Sequence, residues 1–448
     1  MLLGLLLSAT GVWGAAAQSV DIPLQLVESS GGVRLTINVG IGGGDPRTYL
    51  FDTGSAPFNA FYSPSAFGSV PSNMSAPTTL FPNGLPTGVN YSYGSGYTYT
   101  GNFVGVPSLT FYPNASVPAN SPTGVTLNAI TPSGAPSAFI MNAIYNRSGH
   151  GSSGPIVGPT EGIPGVFGGL YGIFGAGDFA DTATGHNPGI PGVTANTSKA
   201  AYGSVLGQAV VPGTAAGYVV AANGQPLASL QTGTTANPGA FANGPQVGQT
   251  VTSCSPCVML GLTPALLAQF KPMNTVAWDT LPTTFPNSHA PGSTEFGINL
   301  NFSTVGAGQP KVSWANATLL DTGTPYYNLH TETVARSYSL NQGATLAISS
   351  TASGALPASI TAFKKESFPY SAPYSVSVGN GSNLNTIGIG FFLQDSVLFN
   401  LSGQAIGYTP NFVTDTNIVT TSAAPLVIGS NSVPLGLAGI ISGTGDVS

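Results

Sequence analysis

One short pattern occurs twice and constrains the fold more than anything else in the chain. Leu50-Phe51-Asp52-Thr53-Gly54-Ser55 returns as Leu319-Leu320-Asp321-Thr322-Gly323-Thr324. The sequence holds only ten aspartates, and charged residues make up 5% of it, so two of them in one setting are no accident of composition. Each copy carries an apolar run straight into a carboxylate. Burying an unpaired charge is costly, so that placement serves chemistry or a tight local hydrogen-bond pattern. An apolar-apolar-Gly run follows each copy, GIFG at 172–175 and IGIGFF at 387–392. Two copies of one strand-loop-strand unit imply two related lobes that could face their aspartates toward each other.

Brought together, two Asp-Thr-Gly loops have a defined chemistry. Glycine lets the loop backbones approach closely, and a threonine from each loop can hydrogen-bond to the other's backbone. Two carboxyls within about 3 Å cannot both ionise, so they share a proton, one serving as base and the other as acid over a broad acidic range. A water held between them is deprotonated as it attacks a peptide carbonyl, while the protonated partner donates to the carbonyl oxygen. A single Asp-Thr-Gly is more often a turn, because Asp accepts local hydrogen bonds and Gly tolerates positive φ. The doubling gives the pattern its weight.

The rest of the chain reads as mostly β. Short alternating runs, VRLTINVG at 33–40, RTYLFDTG at 47–54, VNYSYGSGYTYTG at 89–101, SLTFY at 108–112, STEFGINLNF at 293–302, KVSWANATLLDTG at 311–323 and VLFNLSGQAIGYTP at 397–410, are bounded by Gly, Pro, Asn or Ser. The best helix candidate is TPALLAQFKPM at 263–273, with Thr263 as cap, Pro264 in the first turn, Leu266, Leu267 and Phe270 on one face, and Pro272 as its stop. Residues 178–253 are rich in Gly, Ala, Thr and Pro without clear period and read as a long surface insertion, and 421–448 as a loosely held low-complexity tail. The expected organisation is a signal peptide at 1–17, an N-terminal lobe at 18–297 that contains the insertion, and a C-terminal lobe at 298–420.

Composition narrows the partners. Nine Lys and Arg against 15 Asp and Glu cannot build a patch that neutralises several phosphates, so nucleic acid is excluded as a partner. With so few bases, self-repulsion in acid is mild, which fits a protein exposed to acid and fits a low-charge extracellular wall protein equally well. The opening MLLGLLLSATGVWGAAA has the shape of a secretory signal cleaved near Gln18, although a basic first segment is missing. A short buried or anchoring helix is the weaker reading, since the apolar run falls short of the roughly 20 residues that span a bilayer. No membrane span is expected in the mature form. Cys254 and Cys257 sit as CSPC and favour a local disulfide over a zinc site, which would need two further ligands. The four His, at 150, 186, 289 and 330, are scattered, so no metal is expected. GAGDFA at 175–180 mimics a dinucleotide fingerprint but lacks both the acidic residue about 20 positions on and a helical pattern, and no cofactor is expected. No Gly-x-Ser-x-Gly elbow supports a serine nucleophile.

Taken together these stretches resemble the pepsin-like, two-lobed aspartic proteases from about residue 20 to 412. GVRLTINVGIGGGDPRTYLFDTGS is similar to the family's opening strands, YSYGSGYTYTG to its flap, and GIGFFLQDSVLFNLSGQAIGYTP to its closing segment. The resemblance implies a mostly β, two-lobed fold with pseudo-twofold related lobes and a cleft between them. Asp52 and Asp321 would be the catalytic pair, Thr53 and Thr322 the cross-loop supports, Gly54 and Gly323 the close-approach positions, and Ser55 and Thr324 the hydroxyl partners of the aspartates. Tyr93, followed by Gly94, would be the flap tyrosine over a cleft that takes an extended peptide by strand-like pairing. Two departures stand out. Asn59 occupies the position, seven residues after the first aspartate, where the family usually has a tryptophan that meets the flap tyrosine. The 34 positions from Gln18 to Asp52 leave no room for the inhibitory prosegment common among secreted relatives, which implies an enzyme made active, as some bacterial members are.

The expected function is therefore a secreted or cell-surface aspartic endopeptidase (periplasmic if the cell is Gram-negative). It would be a monomer that acts on peptide or protein substrates with an acid optimum and a preference for apolar subsites. The alternative is a weak or inactive relative that serves as a surface peptide-binding or adhesion protein. Both loops are intact, and a binder has no evident need for a costly carboxylate pair.

Overall fold

Short Gly- and Pro-bounded runs become strands through most of the chain. The computed structural model describes residues 19–29, 32–55, 58–61, 89–92, 97–105, 108–113, 125–129, 137–146, 170–177, 181–182, 201–202, 204–209, 211–222, 231–232, 256–275, 298–306, 308, 311–341, 343–350, 358–361, 375–409 and 425–428. Strands Gly32–Ile41, Arg47–Asp52, Ser108–Tyr112, Ile298–Val305, Ser313–Leu320, Ser396–Asn400 and Ala405–Thr409 lie on runs that the alternation predicted. Helix among the described residues is confined to single-turn or near-single-turn pieces.

The internal repeat is visible as one pairing scheme built twice. In the first half, Gly32–Ile41 runs antiparallel to Arg47–Asp52, which pairs in parallel with Gly172–Gly175 so that Gly175 lies beside Asp52. Gly172–Gly175 pairs antiparallel with Phe58–Phe61, and that strand pairs in parallel with Ser137–Asn146. In the second half, Ile298–Val305 runs antiparallel to Ser313–Leu320, which pairs in parallel with Asn385–Ile387. Asn385–Ile387 pairs antiparallel with Tyr327–Thr331, and that strand pairs in parallel with Val376–Asn380. The first copy belongs to a twelve-stranded sheet and the second to an eight-stranded one. The mostly β, two-lobed architecture expected from the doubled loop is the architecture observed.

A third sheet, of six strands in the order Val20–Pro23, Cys257–Leu262, Ala215–Ala221, Ser396–Asn400, Ala405–Thr409 and Lys271–Thr275, draws strands from both sides of the expected boundary at 298. One buried apolar cluster joins it to both lobes, including Leu35, Phe51 and Phe174 of the first, Leu320, Tyr327 and Ile387 of the second, and Tyr218 and Phe399 of the six-stranded sheet. Aromatic edges knit the first lobe, with Tyr49 and Phe58 centroids 4.9 Å apart and Phe58 and Phe174 5.0 Å apart.

Three sequence expectations need correction. Thr263 does cap a helix, accepting from the Leu266 N–H at 3.2 Å, but the helix is only Pro264–Leu267, and Pro272 lies inside the strand Lys271–Thr275. A single turn suffices because Leu266 alone is fully buried there. Part of the expected surface insertion is core. Ser204–Gly207 and Tyr218–Ala222 are buried, and Ala215–Ala221 is an interior strand of the six-stranded sheet, antiparallel to both its neighbours. It shows no alternation to read, because a strand covered on both faces needs none. Within the expected loose tail, Pro425–Ile428 forms a strand parallel to Val125–Ala129.

The single helical turn and a half at Ile389–Gln394 ends on Asp395, whose backbone N–H donates to Phe391 O at 2.8 Å and whose side chain is buried. Burial pushes its carboxyl up to about 6, with the Lys271 charge opposing. A folded-state value above the unfolded one means that the stabilising contribution is complete in acid, below about pH 4, and is lost as pH rises through about 6. In chemical denaturation, Asp395→Asn should gain stability relative to wild type on going from pH 4 to pH 7, by on the order of 2 kcal/mol. A wild-type-minus-variant difference that stays flat with pH would contradict this.

Candidate active site

Each repeat ends its strand on an aspartate and turns at once through Thr-Gly-hydroxyl. The two turns are the same turn. Gly54 N–H donates to Asp52 Oδ1 at 2.8 Å and the Ser55 hydroxyl to Oδ2 at 2.7 Å. Gly323 N–H donates to Asp321 Oδ1 at 2.7 Å and the Thr324 hydroxyl to Oδ2 at 2.6 Å. The supporting strands repeat the match: Gly177 N–H donates to Ser55 O, and Ile389 N–H to Thr324 O, each at 2.9 Å.

Four reciprocal hydrogen bonds clamp the turns together. Thr53 N–H donates to the Thr322 hydroxyl and Thr322 N–H to the Thr53 hydroxyl, each at 3.0 Å. The Thr53 hydroxyl donates to Leu320 O and the Thr322 hydroxyl to Phe51 O, each at 2.8 Å. Both threonines are fully buried, so each hydroxyl has its donor and its acceptor satisfied across the lobe boundary. The clamp seats each carboxyl on the opposite glycine. A Cβ on Gly54 would lie 2.6 Å from Asp321 Oδ1, and one on Gly323 would lie 2.6 Å from Asp52 Oδ1. Any side chain at either position would push the carboxyls apart.

Electrostatics follow from that seating. The Asp52 carboxyl, 7% exposed, is held well above the usual carboxylate range, first by burial, then by the charge of Asp321 and a hydrogen bond between the two carboxyls. The bonds from Ser55 and Gly54 oppose the shift. Such a pair keeps one proton between two carboxyls, one acid and one base side by side.

The structure thus brings together Asp52, Thr53, Gly54, Ser55, Asp321, Thr322, Gly323 and Thr324, all singled out by the sequence. Val89–Ser92 and Tyr97–Gly105 pair antiparallel as a hairpin, while Tyr93 and Gly94 lie outside the described residues. Cys257 is disulfide-bonded, and Cys254, the other cysteine of the chain, lies outside the described residues. Asn59 is fully buried in the strand beside Gly172–Gly175. No cluster of three or more His, Cys, Asp or Glu suited to a metal occurs among the described residues.

Sequence reading missed two residues. Tyr218, in the presumed insertion, donates its hydroxyl to Ala176 O, and Ala176 N–H in turn donates to Asp52 O at 2.7 Å, so the six-stranded sheet props the first loop from behind. Arg34 lies close enough to feel the charges of both aspartates. The repeat is also longer than the hexapeptide. An aromatic and an asparagine follow in both copies, Phe58-Asn59 and Tyr327-Asn328, and both aromatics are fully buried.

No family model matches the chain, and no curated protein matches it. Among solved structures, the crystal structure of aspartic proteinase from Irpex lacteus is similar, at 15% sequence identity and a TM-score of 0.45, over 89% of this chain and 99% of that one. The site assignment rests on the loop geometry.

Because each threonine hydroxyl makes two of the four bonds, Thr53→Ala and Thr322→Ala should each cost about 2 kcal/mol in urea denaturation. The double variant should cost clearly less than the sum: the two hydroxyls share no bond, but losing either one loosens the alignment of the loops on which the other's bonds depend. Additive costs would show that the threonines do not act as one clamp.

Proposed function

We propose that the chain is an aspartic endopeptidase that hydrolyses peptide bonds with a water activated between Asp52 and Asp321. The observation that carries this reading is the seating of two carboxyls, one from each lobe, on each other's glycine within one hydrogen-bonded clamp. The ionised member takes a proton from the water as its oxygen attacks the scissile carbonyl carbon. The protonated member donates to the carbonyl oxygen, giving a neutral gem-diol and leaving the pair with one proton again. On collapse, a carboxyl proton passes to the leaving nitrogen and a diol proton returns to the pair. The cycle is closed and no covalent enzyme intermediate forms. Each carboxyl is oriented by two donors, its own loop's glycine N–H on Oδ1, the oxygen seated against the opposite lobe's glycine, and the Ser55 or Thr324 hydroxyl on Oδ2.

The pair must carry one proton, so activity has an acid optimum with a fall on each side. Secretion, a monomeric state, and extended peptides with mainly apolar side chains complete the proposal, in keeping with a chain of 5% charged residues.

Purified protein should cleave an unfolded protein substrate at about pH 3 to 5, and Asp52→Asn or Asp321→Asn should lower kcat at least about 10³-fold with little change in KM. Product masses before and after digestion give the readout. Full activity in either single variant would refute the paired mechanism. A folded wild type that cleaves nothing across the pH range would point to a peptide binder instead.

A further inference from the structure

Arg34 is the residue that the proposed chemistry leaves unused. It lies on Gly32–Ile41, whose register with Arg47–Asp52 pairs Thr36 with Leu50. The ladder ends at that pair, and its line continued two residues further leads to Arg34 on one strand and Asp52 on the other. Partners in an antiparallel register share a face, and residues two apart along a strand do too. Arg34, Thr36, Leu50 and Asp52 therefore belong to one face, and Leu35, Ile37, Tyr49 and Phe51 to the other. The second set is fully buried in the core; in the first set Thr36 and Asp52 are buried as well, and Arg34 and Leu50 are half-buried. Val27, opposite Arg34 in the neighbouring strand, packs with Leu50 and Leu170 as a small separate apolar cluster.

The guanidinium sits where both loops can be felt. The carboxylates of Asp321 and Asp52 are the charges that act on it, and burial nonetheless outweighs them and lowers its proton affinity. Its Nη1 donates to Val33 O at 3.1 Å. Among the described residues it has no other hydrogen bond and no ion pair, while each aspartate oxygen accepts from a donor of its own loop, Gly54, Ser55, Gly323 or Thr324. A partly desolvated guanidinium with free donors is a planar fork matched to a carboxylate.

Building on the endopeptidase reading, we propose that Arg34 forms an anionic subsite of the cleft that binds a carboxylate of the peptide substrate close to the cleaved bond. In a chain that offers so few cations, this one residue makes the cleft selective for acidic peptides at one position while its other subsites stay apolar. The carboxylate has two sources, a Glu or Asp side chain or the C-terminal carboxylate of a short substrate. Selectivity requires an ionised substrate, so it grows as pH rises past the ordinary glutamate value of about 4.3.

The test uses the full chain and matched peptides that differ only as Glu or Gln at each position around the cleaved bond, with a second arm comparing free and amidated C termini. At pH 5.5, one position or the free terminus should favour the carboxylate by about 10-fold in kcat/KM, mostly through KM; a Glu-to-Gln ratio should shrink toward one at pH 3.5, whereas a preference for the free terminus, with its lower ordinary value of about 3.5, should fall only by about half. Arg34→Gln and Arg34→Met should bring the ratio at pH 5.5 to about one, and Arg34→Lys should keep part of it. The ratio compares two substrates on one protein, so it stays readable in a variant of lowered activity. No preference in wild type, a preference that survives in Arg34→Gln, or an equal loss on both peptides of a pair would overturn the inference and leave the endopeptidase reading standing. If wild type cleaves neither peptide, that reading fails, and the Glu-to-Gln ratio is then taken from Kd values by calorimetry with the same expectation for Arg34.

Discussion

Two threonine hydroxyls that each reach across to the other loop's backbone hold the molecule's chemistry in place. Thr53 and Thr322 are fully buried, and their four bonds fix the relative position of the loops at the junction of the two lobes. Everything at the site depends on this clamp. It presses each carboxyl against the opposite glycine, and that contact is too tight for a Cβ. It brings two acids close enough that the charge on one raises the proton affinity of the other. A clamp made of backbone and hydroxyl groups carries no charge of its own, so it is indifferent to the acid in which the pair would work.

The lobes build the clamp by repetition and the six-stranded sheet secures it. In each half an aspartate strand is flanked by a parallel strand that ends in an apolar-Gly run, and main-chain bonds from that strand hold the turn. The six-stranded sheet, with strands from both ends of the chain, adds Tyr218 behind the first loop through Ala176. One apolar cluster runs through all three sheets, so the loops rest on a shared core. The buried acids push in one direction: Asp52 and Asp395 both favour the protonated form, so folding and the proposed catalysis are served by the same acidic conditions.

What the sequence revealed was local or repeated. The two aspartates, their threonines, glycines and hydroxyls stood out because the pattern occurs twice, and the strands GIFG and the one ending at Ile387 because an apolar-Gly run follows each copy. A longer comparison of the copies would also have aligned Phe58-Asn59 with Tyr327-Asn328. Other features depend on distant partners. Ala215–Ala221 reads as part of a low-complexity insertion because a strand covered on both faces shows no period, and only its pairing with Cys257–Leu262 and Ser396–Asn400 makes it core. Tyr218 acquires its meaning from Ala176, and Pro425–Ile428 from Val125–Ala129, contacts that no local pattern announces. Arg34 sits in an alternating run that predicted the strand correctly, but which way it faces follows only from the register with Arg47–Asp52.

NMR titration of carboxyl-¹³C-labelled aspartate decides whether the two aspartates hold one proton between them. The resonances of Asp52 and Asp321, assigned by their loss in the corresponding Asn variants, should both respond to two well-separated steps. One proton should be retained well above the ordinary aspartate value of about 3.9, and Asp321→Asn should collapse the Asp52 response to a single step. Two independent single-step curves near that ordinary value, each indifferent to substitution of the other residue, would contradict it.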